Sequence, residues 1–199
     1  MSIEQQTVEG FLDSVAQKSP TPGGGAVAAV AGTLSGALAQ MVLSYSVGKK
    51  SLAANEPELQ AARASLGRAR GVMLELAAED EAAYAVLNDL MKLPADDPRS
   101  KGIGDAALTA TQVPLALMAT GCDLLRLFVR LAAITNRQLR SDLAIAAVLA
   151  EATVRASHWN VRINLELLER HAVAGDTAAQ AEKLSRTARD LAAQVEAAC

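Results

Sequence analysis

Asp80 is the residue whose position asks most for a chemical explanation. Leu59, Leu66, Met73, Asp80 and Leu87 recur every seven residues, with Ala62, Ala69, Leu76, Ala83 and Leu90 at the companion position. A single carboxylate therefore interrupts a continuous apolar seam of period 3.5. Burying it unpaired is costly, so it needs a partner or a raised pKa. A raised pKa makes it a general acid or base; a partner makes it a structural ion pair, and a seam rotated toward water leaves it inert. Tyr84, four residues on, shares the same helical face and can bring a phenol into the same cleft.

Three further groups carry polar chemistry. Thr153, Ser157, Asn160 and Asn164 are spaced four, three and four apart, which draws a stripe along one side of a helix, flanked by His158 and Trp159. Buried amides need hydrogen-bond partners, supplied either by a heteroaromatic substrate or by a neighbouring helix. Gly23, Gly24 and Gly25 precede a helix and read as an anion cradle or as a tight turn; no Gly-Lys-Ser/Thr ending makes them a nucleotide loop. Lys49 and Lys50, at the far end of that helix, either attract a polyanionic tail or complement the helix's negative end.

Other chemistries lack their residues. His158 and His171 have no spaced Cys or His partner, so no metal centre is expected. No Gly-x-Ser-x-Gly elbow or paired nucleophile and base is present, which leaves solvent-type general acid/base catalysis.

The elements that must position these groups are all helical. Val8, Phe11, Leu12 and Val15 predict a helix over about 4–18, ended by Ser19-Pro20. Thr21 to Gly25 reads as a turn, and a helix that is small or apolar on every side follows over about 26–47. The Asp80 seam runs from beyond Pro57 to about Met91, Pro94 to Gly104 is loop, and a helix with Pro114 inside it, expected to kink there, spans about 105–134. Ser141 is the expected N-cap of a helix over about 142–170, with Asp142 suiting its dipole, and the last helix covers about 177–197. No stretch alternates with period two, so we expect an all-α, single-domain multi-helix bundle over residues 1–199 with no sheet.

Composition agrees. Hydrophobic residues are 51% of the chain but aromatics only 3%, so the core must be built of Ala, Leu and Val in close-packed helices. With 19 basic against 22 acidic residues and no basic block, no nucleic-acid footprint is present. Cys122 and Cys199 suggest neither a disulfide framework nor a thiolate metal site, hence a reducing, cytoplasmic setting. The opening has no basic or apolar leader pattern, so no export signal is expected. Ser19 to Gly48 is uncharged with a Gly32-x-x-x-Gly36 pair, a membrane-span signal, but its Ala, Gly, Ser, Thr and Gln40 content fits a buried core helix better.

Ser19-Pro20-Thr21-Pro22-Gly23-Gly24-Gly25, Gly48-Lys49-Lys50, Asp80 with Tyr84, Leu93-Pro94, Val113-Pro114, Asn136 with Ser141-Asp142, and Asn160-Val161 with Asn164 resemble, in order and spacing, the formiminotetrahydrofolate cyclodeaminase and methenyltetrahydrofolate cyclohydrolase family. The resemblance implies an all-helical homodimer in the cytosol, acting on the methenyl or formimino group of tetrahydrofolate with no metal or redox cofactor. It implies Asp80, Asp142 and Tyr84 as catalytic candidates and Gly23, Gly24, Gly25, Lys49, Lys50, Asn136, Ser141, Asn160 and Asn164 as substrate-binding ones. Ala95 after the Leu-Pro pair, Ser51 and Leu52 after the lysines, Gln138, and the large Trp159 depart from the family pattern.

The expected reaction is hydrolysis of 5,10-methenyltetrahydrofolate to 10-formyltetrahydrofolate, because the chain ends at 199 residues with no attached transferase domain. The alternatives are a cyclodeaminase that releases ammonia and an inactive helical folate-binding or scaffold homologue.

Overall fold

The computed structural model describes residues 3–94, 96–168 and 173–199. Every regular element among them is helical: α1 (Val8–Ala16), α2 (Gly24–Ser44), α3 (Glu56–Met91), α4 (Ile103–Ile134), α5 (Arg140–Leu165) and α6 (Ala174–Ala198), with short 3-10 turns between. Helix α2 packs on α3 and α5, and α4 packs on the same two. The result is a four-helix ring, α2-α3-α4-α5, with α6 laid across α4 and α5.

The α3 seam is the spine of the core. Leu59, Leu66, Met73 and Leu87 are buried, as are Leu43 of α2, Leu117 and Phe128 of α4 and Leu143 of α5. Small residues bring the helices together. A side chain on Gly32 would run into Met73 and Thr153, and one on Gly121 would run into Val154, so these glycines set the spacing of α2, α4 and α5. Their roughly 1 kcal/mol helix penalty each relative to Ala is offset by that close packing. Between α2 and α5 the Ser35 hydroxyl donates to the Ala146 carbonyl at 2.7 Å.

Two helix starts differ from the sequence reading in ways that bear on the site. Helix α2 begins at Gly24 with Gly23 as N-cap, so Gly24 and Gly25 belong to the first helical turn rather than to the preceding loop. Ser141 is not the N-cap of α5: the helix starts at Arg140 after Leu139, and the capping side chain is Asn136, which accepts from Gln138 N in the short turn before it. That turn satisfies the chain one step earlier, which leaves Ser141 inside the helix. Helix α4 continues as one α-helix past the buried Pro114.

Helix α1 buries none of its residues. Its apolar side and the outer face of α2 form a groove lined by Val8, Phe11, Leu12, Val27, Val30 and Leu34. Helix α2 is long and apolar enough to cross a membrane, but half of its most apolar window is buried inside the bundle.

Candidate active site

At one end of the ring the C-terminal half of α3, the N-termini of α2 and α4 and the C-terminal part of α5 converge, as an up-and-down arrangement requires. The opening between them is a pocket of about 250 Å³ lined by Gly23, Gly24 and Gly25, by Asp80 and Tyr84, and by Asn160, Ile163 and Asn164, with Pro20, Thr21 and Ala110 at its edges. The Thr21–Pro22 peptide leading into it is cis.

Asp80 sits where the α3 seam meets this pocket. It is partly buried and has no hydrogen-bond or ion-pair partner among the described residues. Loss of hydration, with the nearby Glu81 charge as the lesser cause, pushes its carboxyl up to about 6. Of the sequence alternatives, the structural ion pair finds no partner among the described residues. A side chain on Gly25 would overlap the Asp80 carboxylate, so the carboxylate rests directly on the first turn of α2. Gly23 offers no capping side chain there. The positive end of α2 thus meets the pocket and favours negative charge developing in it.

The stripe on α5 divides by depth. Thr153 donates to the Leu149 carbonyl within its own helix. Ser157 is buried with an unpartnered hydroxyl, and Asn160 has a buried, unpartnered amide nitrogen. Asn164 donates to the Ala110 carbonyl at 3.0 Å, which ties α5 to α4 and leaves its amide oxygen as the acceptor available to a ligand. His158 lies 3.4 Å from Glu182 of α6 and serves the helix contact; His171 lies outside the described residues.

Lys49, Lys50, Asn136, Ser141 and Asp142 are elsewhere. The Lys49 ammonium donates to Asn136 Oδ1 at 2.9 Å, and Asn136 N donates to the buried Ser46 hydroxyl at 3.0 Å. This cluster sits beyond the C-terminus of α2, about 30 Å from its N-terminus at 1.5 Å per residue. Asp142 is in the first turn of α5, at the same remote end. The chain thus gathers Gly23, Gly24, Gly25, Asp80, Tyr84, Asn160 and Asn164 at one end and leaves the other five at the opposite end. Ser51, Leu52 and Gln138 lie with that remote group, whereas Ala95 is outside the described residues.

Sequence reasoning missed Ile163, Pro20, Thr21 and Ala110. Ile163 is 60% exposed, and an apolar residue next to a polar stripe on an exposed face was the available signal.

A half-buried carboxylate that shares a pocket with two amides at the open end of a helical ring is able to carry acid/base chemistry. Residues 7–183 match the family model described as formiminotransferase-cyclodeaminase, and the chain belongs to that family. It is 31% identical to a methenyltetrahydrofolate cyclohydrolase of Methylorubrum extorquens over 90% of this chain and 88% of that one. It is 32% identical to a formimidoyltransferase-cyclodeaminase of Sus scrofa, over 83% of this chain and 31% of that longer protein. Among solved structures, a formiminotetrahydrofolate cyclodeaminase from Thermotoga maritima matches with a TM-score of 0.92 at 28% identity, covering 98% of this chain and 96% of that one.

Proposed function

We propose that the protein hydrolyses 5,10-methenyltetrahydrofolate to 10-formyltetrahydrofolate, with Asp80 as the principal base. The observation that carries this reading is the unpartnered Asp80 carboxyl, raised to about 6 and held against Gly25 in the pocket. The methenyl carbon between N5 and N10 is an amidinium and already electrophilic. Asp80 removes a proton as water adds to that carbon; the carbon–N5 bond then breaks, N5 takes up a proton, and the carbon remains on N10 as a formyl group with one net proton released. Such a base contributes on the order of a hundred- to ten-thousand-fold. Asn160 and Asn164 hold the pterin, and Tyr84 lies in the wall as a second proton-carrying group. The substrate brings its own electrophile, so the scheme calls for no resident metal or redox group.

The structural likeness to a cyclodeaminase favours a second reading at the same site. There N10 attacks the carbon of the protonated formimino group, the N10 proton passes to the leaving nitrogen, and ammonia departs to leave the methenyl cation. Decay of methenyltetrahydrofolate absorbance, run beside formiminotetrahydrofolate, separates the two. Acceleration over buffer on the first supports the cyclohydrolase, acceleration on the second alone supports the cyclodeaminase, and neither supports an inactive homologue.

The protein is further proposed to act as a cytoplasmic homodimer. The α3 seam offers no surface for such a contact, because it is consumed by its own core, with Leu59, Leu66 and Met73 fully buried. The unpartnered surface is instead on α2, where Val27, Leu34 and Met41 are exposed at seven-residue spacing, with Val8 and Leu12 of α1 alongside. A two-fold contact through this face runs α2 antiparallel to its partner copy. That arrangement carries the remote end of one subunit toward the pocket of the other, and it is how Lys49 and Lys50 would reach a folate's glutamate tail.

A further inference from the structure

The α5 surface beside the pocket carries a second, shallower hollow formed by Trp159, Arg162, Ile163, Leu165 and Glu166. Ile163 lines both openings, so the hollow and the Asp80 pocket are continuous across one side chain. Trp159 is 63% exposed, and the Arg162 guanidinium carbon lies over its ring, 4.6 Å from the centroid. Arg162 has no ion-pair partner among the described residues. An indole this exposed gains little from the fold, and the cation on one of its faces leaves the other face open.

We infer that Trp159, Arg162 and Ile163 form the subsite for the aminobenzoyl ring and first glutamate carboxylate of the folate. The inference rests on the reading of the Asp80 pocket as a one-carbon folate site. Its chemistry follows from the connectivity of that substrate. N10 is bonded directly to the benzoyl ring, so a substrate whose bridging carbon is beside Asp80 lays its ring outward from the pocket, past Ile163 and into the adjoining hollow that holds Trp159. The ring stacks on the open face of Trp159. The carboxylate that follows it along the molecule is then within the field of Arg162, whose cation is already oriented by the indole.

Trp159 is the only tryptophan in the chain, so its fluorescence reports the subsite directly. The test titrates the full-length protein with 5-formyltetrahydrofolate, a stable probe, and with a tetrahydropterin lacking the aminobenzoylglutamate arm. Trp159→Ala, Trp159→Phe and Arg162→Ala are compared with wild type in turnover and in binding by titration calorimetry, which needs no tryptophan and serves the Trp159 variants as well. Stacking of one ring predicts that Trp159→Ala weakens the folate probe about tenfold and leaves the armless pterin unchanged. KM rises by a similar factor while kcat stays within about twofold, because the ring is held equally in ground and transition states. Trp159→Phe recovers most of the loss. Arg162→Ala weakens only the folate, with less loss as salt rises.

Equal loss for both probes in Trp159→Ala, or an unchanged KM, overturns the subsite while leaving the Asp80 pocket intact as the folate site. Wild-type protein that neither binds nor converts any folate overturns the underlying reading, and the subsite with it.

Discussion

Gly25 and Asp80 are in such close contact that a single methyl group on the glycine would occupy the space of the carboxylate. The contact joins the first turn of α2 to the one acidic position in the α3 seam. It fixes where the carboxylate stands relative to the positive end of the helix, and it is where the polar pattern of one segment and the glycine run of another first acquire a common purpose.

Gly25→Ala is therefore expected to separate folding from chemistry. Alanine is the better helix former by about 1 kcal/mol, but its methyl forces Asp80 to swing away. We expect a helical spectrum like wild type and a kcat at least tenfold lower. Unchanged turnover would show that the Asp80 position is not critical.

Asp80→Asn should stabilise the protein near neutral pH. The folded carboxyl is raised from 3.8 to about 6, so the native state holds its proton more tightly than the unfolded chain. Stability is unaffected by this group below about pH 4, falls as pH rises from about 4 to 6, and stays reduced above. The variant removes that penalty, about 1–2 kcal/mol given water at the pocket mouth. Denaturant unfolding at pH 7 should show the gain, and unfolding at pH 4 should show almost none. A destabilised variant at pH 7 would mean that Asp80 makes a favourable contact.

The same titration sets the pH profile of catalysis. A base must be ionised to act, so kcat/KM should rise with pH through an apparent pKa of about 6 and level off above it. A profile flat from pH 5 to 8 would assign the base elsewhere.

The remote cluster predicts a different signature. Lys49→Ala with Lys50→Ala should raise KM several-fold and spare kcat, and added salt should mimic the variant because exposed charges are screened over about 8 Å. Asp142→Asn, at the same remote end, should change stability by only a few tenths of a kcal/mol. A large loss of kcat in either variant would place that end of the chain at the reacting carbon.

Much of this was legible in the sequence because helical periodicity is local. The α3 seam, its limits near Pro57 and Met91, and the anomaly at Asp80 all follow from spacing alone. The adjacency of Asp80 to Gly25 and Asn160 was not legible, since spacing identifies the face of each helix but not which ends meet. Lys49 and Lys50 were legible as lying at the far end of α2, about 30 Å from its N-terminus, but their grouping there with Asn136 and Asp142 was not. Ser141 was misread as a cap because its residue type suits the role, while Asn136 had already turned the chain.

The most direct test of the account is the decay of methenyltetrahydrofolate at neutral pH, followed by absorbance for wild type and Asp80→Asn side by side. Wild type should show decay well above the buffer rate, and a folded Asp80→Asn should lose at least about a hundredfold in kcat. Turnover by the variant equal to wild type would contradict it.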